Sequence, residues 1–307
     1  MLINSSSIIT TSHLSFAYRE KLVIKELSLD IPSGSIFGFL GPNGAGKSTT
    51  IKILLGLLQV KAGSIHIFGK EFNHNRLEIL PDIGAMVEVP SLYEHLSGRR
   101  NLEITCRLRS LPLSRIDEVL QIVSMESDAH RKVRQYSTGM KQRLSLAIAL
   151  LGKPKLLILD EPINGLDPSG IIEIRNLLVK LNREEACTIF LSSHLLDEIE
   201  KICTHLGVIQ NGILLFQGVT SDLLHQYNRK VSYRMETNDP VNAQEILKEE
   251  AVNLVDHFLM IPYDRKEKIA AIIRKLTDAG IDIYSVEKVQ SDLESSFLEI
   301  LREGGKN

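Results

Sequence analysis

Residues 41–48 read Gly-Pro-Asn-Gly-Ala-Gly-Lys-Ser. This stretch matches the phosphate-loop pattern G-x-x-x-x-G-K-[ST], in which glycines let backbone N–H groups approach phosphate oxygens closely. The apolar run 35–40 before it predicts a buried strand, and residues 47–58 after it predict a helix. The N-terminus of that helix adds partial positive charge at the same place. The stretch therefore predicts a binding site for nucleotide phosphates.

The side chains at the end of this loop have separate predicted roles. Lys47 is expected to reach the β- and γ-phosphates, and the hydroxyl of Ser48 is expected to ligate Mg²⁺. The predicted nucleotide-binding residues of the segment are Gly41, Pro42, Asn43, Gly44, Ala45, Gly46, Lys47, Ser48 and Thr49.

A pair of carboxylates follows the clearest core strand of the chain. Residues 156–159 are all Leu or Ile, and Asp160 and Glu161 come directly after them. Asp160 is expected to be the second protein contact of Mg²⁺, directly or through a water molecule. Glu161 is expected to act as the general base that polarises an attacking water molecule. An acidic pair at a strand end is also common as a solvated turn, but the phosphate loop upstream favours the catalytic interpretation.

Composition restricts the classes of protein that fit this chain. It has 307 residues, with 36 Lys and Arg against 38 Asp and Glu, for a net charge of −2. This balance argues against a general nucleic-acid binder, which carries a basic surface. The three cysteines are widely spaced and fit neither a disulfide framework nor a zinc site. We expect no signal peptide, and no apolar stretch approaches the ~20 residues that span a bilayer.

Residues 136–143 read Tyr-Ser-Thr-Gly-Met-Lys-Gln-Arg and resemble the signature motif of ATP-binding cassette (ABC) ATPases. Residues 165–167 resemble the D-loop of that family, and Ser193-His194 resembles its switch histidine. With the phosphate loop and the acidic pair, the motifs stand in the family's order over about residues 8 to 220. The resemblance implies an enzyme that hydrolyses ATP and uses Mg²⁺.

The same resemblance implies that two cassettes pair head to tail, with each ATP held between one phosphate loop and the other signature. Ser137 and the Gly139 backbone N–H are then expected to contact the γ-phosphate of the opposite subunit, at a helix N-terminus. Asp167 is implied to line the seam between the cassettes. His194 is implied to hold the γ-phosphate or the attacking water. Tyr18 matches the aromatic residue that stacks on adenine.

The chain departs from the family pattern in two segments. In the signature, Thr138 replaces a second Gly and Met140 stands where Gln is common; neither is interpreted as lost activity. Where the family has a Gln after a strand, residues 83–87 are followed by Glu88. Glu88 is similar to the acidic residue of lantibiotic self-immunity exporters. It is expected to be a catalytic residue that ligates Mg²⁺ or water, or to be a neutral variant.

The alternation of short apolar runs and helical stretches predicts an α/β fold with a largely parallel sheet. The resemblance to ABC ATPases implies a P-loop NTPase fold with a RecA-like core. Residues 8–226 are expected to form the ABC ATPase domain, with a helical subdomain over about 89–152. Helical patterns cover 98–130, with a break at 111–112, and 140–151.

Beyond about residue 227 the sequence pattern changes. Residues 227–307 predict a small, separate C-terminal α/β domain. Its last predicted helix carries an apolar stripe formed by Leu293, Phe297, Ile300 and Leu301.

These features favour the ATPase subunit of an ABC exporter, most similar to the bacitracin or lantibiotic resistance branch, for an antimicrobial peptide or drug. The expected partners are a polytopic membrane permease and a second cassette, with no nucleic acid, at the cytoplasmic face of the membrane. The alternative is a soluble ABC ATPase that acts on ribosomes or DNA. Such proteins carry two cassettes or long coiled coils, and this chain shows one phosphate loop and no heptad insertion. A binding switch without turnover is disfavoured by the presence of Glu161 and His194.

Overall fold

The described part of the chain forms two compact units, one of the described residues within 7–220 and one of those within 221–301. The structure, a computed structural model, describes residues 7–87, 92–227, 232–250, 252–262, 266–289, 297 and 300–301.

The first unit contains both strands and helices. Its described strands are β1 (Ser7–Tyr18), β2 (Lys21–Leu27), β3 (Asp30–Pro32), β4 (Ile36–Leu40), β5 (Ala62–Ile67), β6 (Lys70–Glu71), β7 (Ile83–Met86), β8 (Leu156–Asp160), β9 (Thr188–Ser193), β10 (His205–Gln210) and β11 (Ile213–Val219). Its described helices are α1 (Lys47–Leu54), α2 (Phe72–Ile79), α3 (Gly98–Leu108), α4 (Arg115–Ile122), α5 (Thr138–Leu150), α6 (Pro168–Glu185) and α7 (Leu196–Glu200), followed at the unit boundary by α8 (Thr220–Tyr227).

A six-stranded sheet has the order β11-β10-β4-β9-β8-β7. All its neighbouring strands are parallel except β11, which is antiparallel to β10. Strands β4, β8 and β9 are buried along their whole length, as expected for parallel strands covered on both faces. The predicted α/β fold with a largely parallel sheet is confirmed. Because β4, β9 and β8 are adjacent, their carboxyl ends lie side by side at one edge.

A second sheet is antiparallel, with the order β2-β1-β5-β6 and β3 paired to β1. No sequence pattern predicted it, because β1 is rich in Ser and Thr and its register shifts at several positions. Its buried residues, such as Leu14 and Ile24, share one apolar core with Phe37 and Phe39 of the parallel sheet. The two sheets are therefore held together by hydrophobic burial.

Helices α1, α3 and α4 are shorter than their sequence patterns predicted. Helix α1 ends at Leu54 and not at residue 58, because Gly56 adopts φ +68°, a left-handed conformation that terminates helices. The stretch 98–130 contains α3 and α4, and then turns from residue 123 onward. Ser110 and Ser124 have φ near +52° and +55° and stand where these two helices end.

The second unit contains β12 (Ser232–Thr237), α9 (Pro240–Ile246), β13 (Asn253–Val255), β14 (Phe258–Pro262), α10 (Lys266–Asp278) and β15 (Ile283–Val289). Its four strands pair antiparallel in the order β13-β14-β12-β15. This βαββαβ order is the ferredoxin-like arrangement. The unit has its own apolar core, which includes Met235, Leu259, Ile272 and Leu276.

The predicted last helix is described at three positions only. Phe297, Ile300 and Leu301 are helical, and Ile300 is buried, whereas Leu293 lies outside the described residues. Across the described ranges, no helix has both the length and the apolar character needed to cross a membrane.

Candidate active site

The loop of residues 41–48 connects the end of β4 to the start of α1. Gly44 and Gly46 adopt φ +80° and +116°, conformations that are strained for residues with a Cβ atom. Gly41 is restricted by space, because a Cβ atom built there would lie 2.3 Å from the carbonyl oxygen of Ile209. The backbone of this loop therefore requires glycine at these three positions.

Backbone hydrogen bonds hold the loop in place. The N–H of Ala45 donates to the carbonyl of Pro42 at 3.1 Å, and the N–H of Gly212 donates to the carbonyl of Ala45 at 2.9 Å. The hydroxyl of Thr50 donates to the carbonyl of Gly46 at 2.9 Å. The turn between β10 and β11, which contains Gly212, thus supports the loop from a distant part of the chain.

Lys47 is buried, with 6% of its surface exposed. Its Nζ donates to the carbonyl oxygen of Gly41 at 2.7 Å and lies 3.5 Å from Oε1 of Glu161. The cation is therefore held between the loop and the carboxylate that follows β8.

Glu161 and His194 meet at the neighbouring strand ends. Oε2 of Glu161 lies 2.7 Å from Nδ1 of His194, at hydrogen-bonding distance. Glu161 has φ +50°, which lies in the left-handed region that residues other than glycine rarely adopt. Because β9 lies between β4 and β8, His194 reaches the carboxylate from the adjacent strand.

Asp160 is buried at the end of β8 and is hydrogen bonded to a residue that the sequence analysis did not identify. The hydroxyl of Ser192 donates to Oδ1 of Asp160 at 2.6 Å. The same hydroxyl oxygen accepts the backbone N–H of Glu161 at 2.9 Å. The sequence carries no signal for this serine, because its position depends on the pairing register of β8 and β9.

Lys47, Glu161 and His194 line one cavity of about 530 Å³, whereas Asp160 and Ser192 are not among its lining residues. The structure brings together there most of the predicted loop residues with Glu161 and His194, and it adds Val23 and Asn164, which the sequence analysis did not identify. The lining residues are Val23, Asn43, Gly44, Gly46, Lys47, Ser48, Thr49, Glu161, Asn164 and His194.

A second cavity, of about 260 Å³, contains the predicted signature and D-loop residues and shares no lining residue with the first. Ser137 caps α5, and its Oγ accepts the Met140 N–H at 3.3 Å. Gly139 and Asp167 line the same cavity. The structure therefore separates Ser137, Gly139 and Asp167 from Lys47 within one copy of the chain.

Asp167 caps α6 at the edge of this second cavity. Its carboxylate accepts hydrogen bonds from the Ser169 hydroxyl at 2.7 Å and from the Gly170 N–H at 3.2 Å. These bonds stabilise the charged form and hold the pKa of Asp167 below its usual value.

A hydrogen-bonded chain connects helix α5 to Glu161. Nε2 of Gln142 donates to the carbonyl of Asn164 at 3.2 Å, and the Asn164 N–H donates to the carbonyl of Glu161 at 3.1 Å. Oε1 of Gln142 is buried and has no hydrogen-bond partner in the part of the chain that the structure describes. The signature helix is thus tied to the segment that carries the carboxylate.

Tyr18, predicted to stack on adenine, does not line the first cavity. Tyr18 is 46% exposed at the end of β1, and its ring packs edge-to-face on Phe16 with centroids 4.8 Å apart. Glu88 lies outside the described residues, so its predicted role as a water or Mg²⁺ ligand stays a prediction.

Comparisons with known proteins agree with this arrangement of motifs. The family model of ABC transporter proteins matches residues 24–164. The bacitracin transport ATP-binding protein BcrA of Bacillus licheniformis is 39% identical over 305 residues, which cover 97% of this chain and 99% of that protein. The lantibiotic transport ATP-binding protein SrtF of Streptococcus pyogenes is 40% identical over 205 residues, which cover 67% of this chain and 88% of that protein.

Solved structures give the same result. CbiO1 from Clostridium perfringens, described as part of the ABC transporter complex cbiONQ, is 28% identical, with a TM-score of 0.64 over 72% of this chain and 94% of that one. The cassette MJ0796, solved with ADP and Pi, is 24% identical, with a TM-score of 0.62 over 69% of this chain and 98% of that one, and shows the shared fold. The chain therefore belongs to the ABC transporter family, as an ATP-binding subunit with ATPase activity.

Proposed function

We propose that this chain hydrolyses Mg²⁺-bound ATP within a head-to-tail pair of cassettes and thereby powers the export of a peptide antibiotic. The observation that carries the catalytic part is the convergence of Lys47, Glu161 and His194 on one cavity. These three residues supply a cation for phosphate oxygens, a carboxylate for the attacking water and an imidazole that is hydrogen bonded to that carboxylate.

The phosphate groups of ATP fit the loop side of the cavity. Gly44 has no atom within 4 Å of the place where a Cβ would stand, so its backbone is open to a ligand. Lys47 and the start of α1 add positive charge on the same side. Lys47 would hold the β- and γ-phosphates in exchange for its present acceptors.

The residues present also fit Mg²⁺. This ion keeps several water ligands and takes one or two protein oxygens in addition to phosphate oxygens. The Ser48 hydroxyl and the Asp160 carboxylate are such oxygens, and Ser192 occupies only Oδ1 of Asp160. The proposed ligands are therefore Ser48 and Asp160, with Glu88 as a further candidate. When bound, the ion would neutralise negative charge on the phosphates.

Glu161 is the proposed general base. Its carboxylate would accept a proton from the water that attacks the γ-phosphate. His194 would hold this carboxylate through their hydrogen bond, or contact the γ-phosphate directly. Both side chains are partly exposed to the cavity, at 21% and 38%, so a water molecule can reach them.

The second cavity supports a proposed role for another cassette. Ser137 and Gly139 stand at the N-terminus of α5, where backbone N–H groups favour anions. They are separated from Lys47 in one chain, so they would serve an ATP bound to the loop of a second subunit. Asp167 would lie at the seam. Because the chain shows one phosphate loop, we propose that the second subunit is another copy.

The transported compound and the membrane partner are proposed from the relatives. BcrA carries bacitracin transport in its name, and SrtF carries lantibiotic transport. Both compounds are peptide antibiotics, so we propose a substrate of that class. A polytopic permease would form the pathway, and this chain would bind it at the cytoplasmic face of the membrane, without contact to nucleic acid.

The test is to isolate the Glu161→Gln variant from membranes of its native host with Mg²⁺ and ATP, and to identify the proteins that accompany it. A polytopic membrane protein in roughly equal amount is expected, and the Lys47→Ala variant, which lacks the phosphate-binding cation, serves as the control. Ribosomes or DNA in its place would contradict the transport function. Cells that lack the chain are expected to be more sensitive to a bacitracin-like or lantibiotic peptide, and unchanged sensitivity to both would contradict the proposed substrate class.

A further inference from the structure

We infer that Ser192 is a positioning residue that sets the relative placement of the Mg²⁺-binding carboxylate and the general base. The inference rests on the proposed functions of Asp160 and Glu161. It is carried by a buried hydroxyl group that contacts both residues at once.

The geometry follows from the sheet. Ser192 in β9 is paired directly with Asp160 in β8, and it is 0% exposed. Its hydroxyl proton is donated to Oδ1 of Asp160 at 2.6 Å. Its oxygen accepts the backbone N–H of Glu161 at 2.9 Å. A serine hydroxyl has one proton, which is donated here to the carboxylate, and the hydroxyl oxygen accepts the backbone N–H.

Each hydrogen bond has a separate consequence. The bond to Oδ1 fixes the orientation of the Asp160 carboxylate, because one oxygen is tied to the neighbouring strand. Hydrogen-bond partners of this kind orient metal ligands and change the affinity of the site for the metal. The bond to the Glu161 N–H stabilises the backbone where φ is +50°, a conformation that needs support from its surroundings. Ser192 therefore acts on the proposed metal site and on the proposed base together.

The neighbouring serine does not share this role. Side chains alternate between the two faces of a strand, and Oγ of Ser193 accepts the N–H of Leu195 at 2.9 Å. At the other end of β9, the buried Thr188 hydroxyl accepts the N–H of Gly34 at 2.9 Å. Thr188 is therefore a matched control, with a buried hydroxyl on the same strand that contacts neither acidic residue.

The first measurement is hydrogen exchange on the nucleotide-free full chain. In Ser192→Ala the Glu161 N–H loses its acceptor, so exchange of that amide is expected to become at least about tenfold faster. The Thr188→Val control is expected to leave exchange at residues 160–164 unchanged. Unchanged exchange in Ser192→Ala would overturn the inference.

The second measurement is the Mg²⁺ concentration that gives half-maximal ATPase activity. In Ser192→Ala this concentration is expected to rise by about 10-fold or more, with a lower kcat. Ser192→Thr keeps a hydroxyl group and is expected to restore the Mg²⁺ dependence. An unchanged dependence in Ser192→Ala, or one that shifts equally in Thr188→Val, would contradict the positioning role. If the alanine variant does not fold, both measurements are made on Ser192→Cys. Its thiol forms weaker hydrogen bonds than a hydroxyl group, so the same changes are expected.

The two measurements separate this inference from the proposed function. An absence of ATPase activity in the unaltered chain would contradict the proposed function alone. Hydrogen exchange needs no nucleotide or metal, so it tests the link between Ser192 and Glu161 in either case.

Discussion

Glu161 and His194 are 33 residues apart in the chain, yet Oε2 of the carboxylate lies 2.7 Å from Nδ1 of the imidazole. The other oxygen of the same carboxylate lies 3.5 Å from Nζ of Lys47. One side chain thus joins the imidazole after β9 to the cation after β4. This arrangement leads to the first three predictions.

The Glu161→Gln variant is expected to bind ATP normally and to hydrolyse it about 10²- to 10⁴-fold more slowly, the range for loss of a general base. Glutamine keeps the shape of the side chain and a hydrogen-bonding group for His194. Single-turnover ATPase measurements together with nucleotide-binding titration check this prediction. Turnover within a factor of a few of the unaltered chain would exclude Glu161 from the role of base.

The His194→Ala variant is also expected to lose turnover, and its effect should not add to that of Glu161→Gln. Residues in direct contact show coupling energies of roughly 0.5–3 kcal/mol in double-mutant cycles. The measurement is kcat for both single variants and the double variant. Free-energy changes that sum within about 0.3 kcal/mol would show two independent residues.

The Lys47→Ala variant is expected to lose ATP affinity by roughly 10-fold or more, because a hydrogen bond to a charged group contributes about 1.5–3 kcal/mol. Nucleotide titration of the purified chain checks this. Lys70→Ala is the control, since Lys70 is half-exposed and paired with Glu78 on the surface. Normal ATP affinity in the Lys47 variant would contradict the phosphate-binding function of the loop.

The cysteine thiols are expected to be unreactive in the folded chain at pH 8. Burial raises the pKa of Cys187 to about 12 and also raises the pKa values of Cys106 and Cys203. The thiolate is the reactive form, so a thiol reagent should label all three free cysteines only after unfolding. Rapid labelling of the native protein would contradict this.

The same shifts set the sign of a pH effect on stability. Unfolded thiols lose their protons above about pH 8.5, whereas the Cys187 thiol of the folded chain keeps its proton to about pH 12. The folded state then binds more protons than the unfolded state, so the free energy of unfolding should fall as pH rises through this range. Denaturant titrations of the unaltered chain and of Cys187→Ala at pH 8 and pH 10.5 check the direction, and the variant should show the smaller decrease.

Removal of residues 228–307 is expected to leave the ATP affinity nearly unchanged. Every lining residue of the first cavity belongs to the first unit, and each unit has its own apolar core. Nucleotide titration of the shortened chain checks this. A shortened chain that is folded by circular dichroism and does not bind ATP would show that the second unit contributes to the site.

The parts of the site that sequence alone predicted are those encoded by short, contiguous patterns. The loop around Lys47 is recognisable because a buried strand and a helix must flank it, and Asp160 and Glu161 are recognisable because they follow a strand of Leu and Ile. In these segments the residues that form the site are neighbours in the sequence, so the local pattern is enough to identify them.

The features that the sequence did not predict depend on how separate segments align. Ser192 reaches Asp160 only because β8 and β9 pair in one particular register, and Gln142 reaches Asn164 only through the packing of α5. Similarly, the Ser and Thr residues of β1 interrupt its apolar pattern, so the strand is defined by its pairing with β2 and β5. A single sequence contains no direct record of such pairings.

The strand order has a consequence for synthesis on the ribosome. The phosphate loop leaves the ribosome early, but the strands that complete its site are made far later, with β9 ending at Ser193 and β10 at Gln210. Parallel pairing between such distant segments forms slowly. A nascent chain that ends before Gly212 therefore lacks the hydrogen bond that the Gly212 N–H donates to the carbonyl of Ala45 in the loop. We therefore expect a new molecule to bind nucleotide only late in its synthesis.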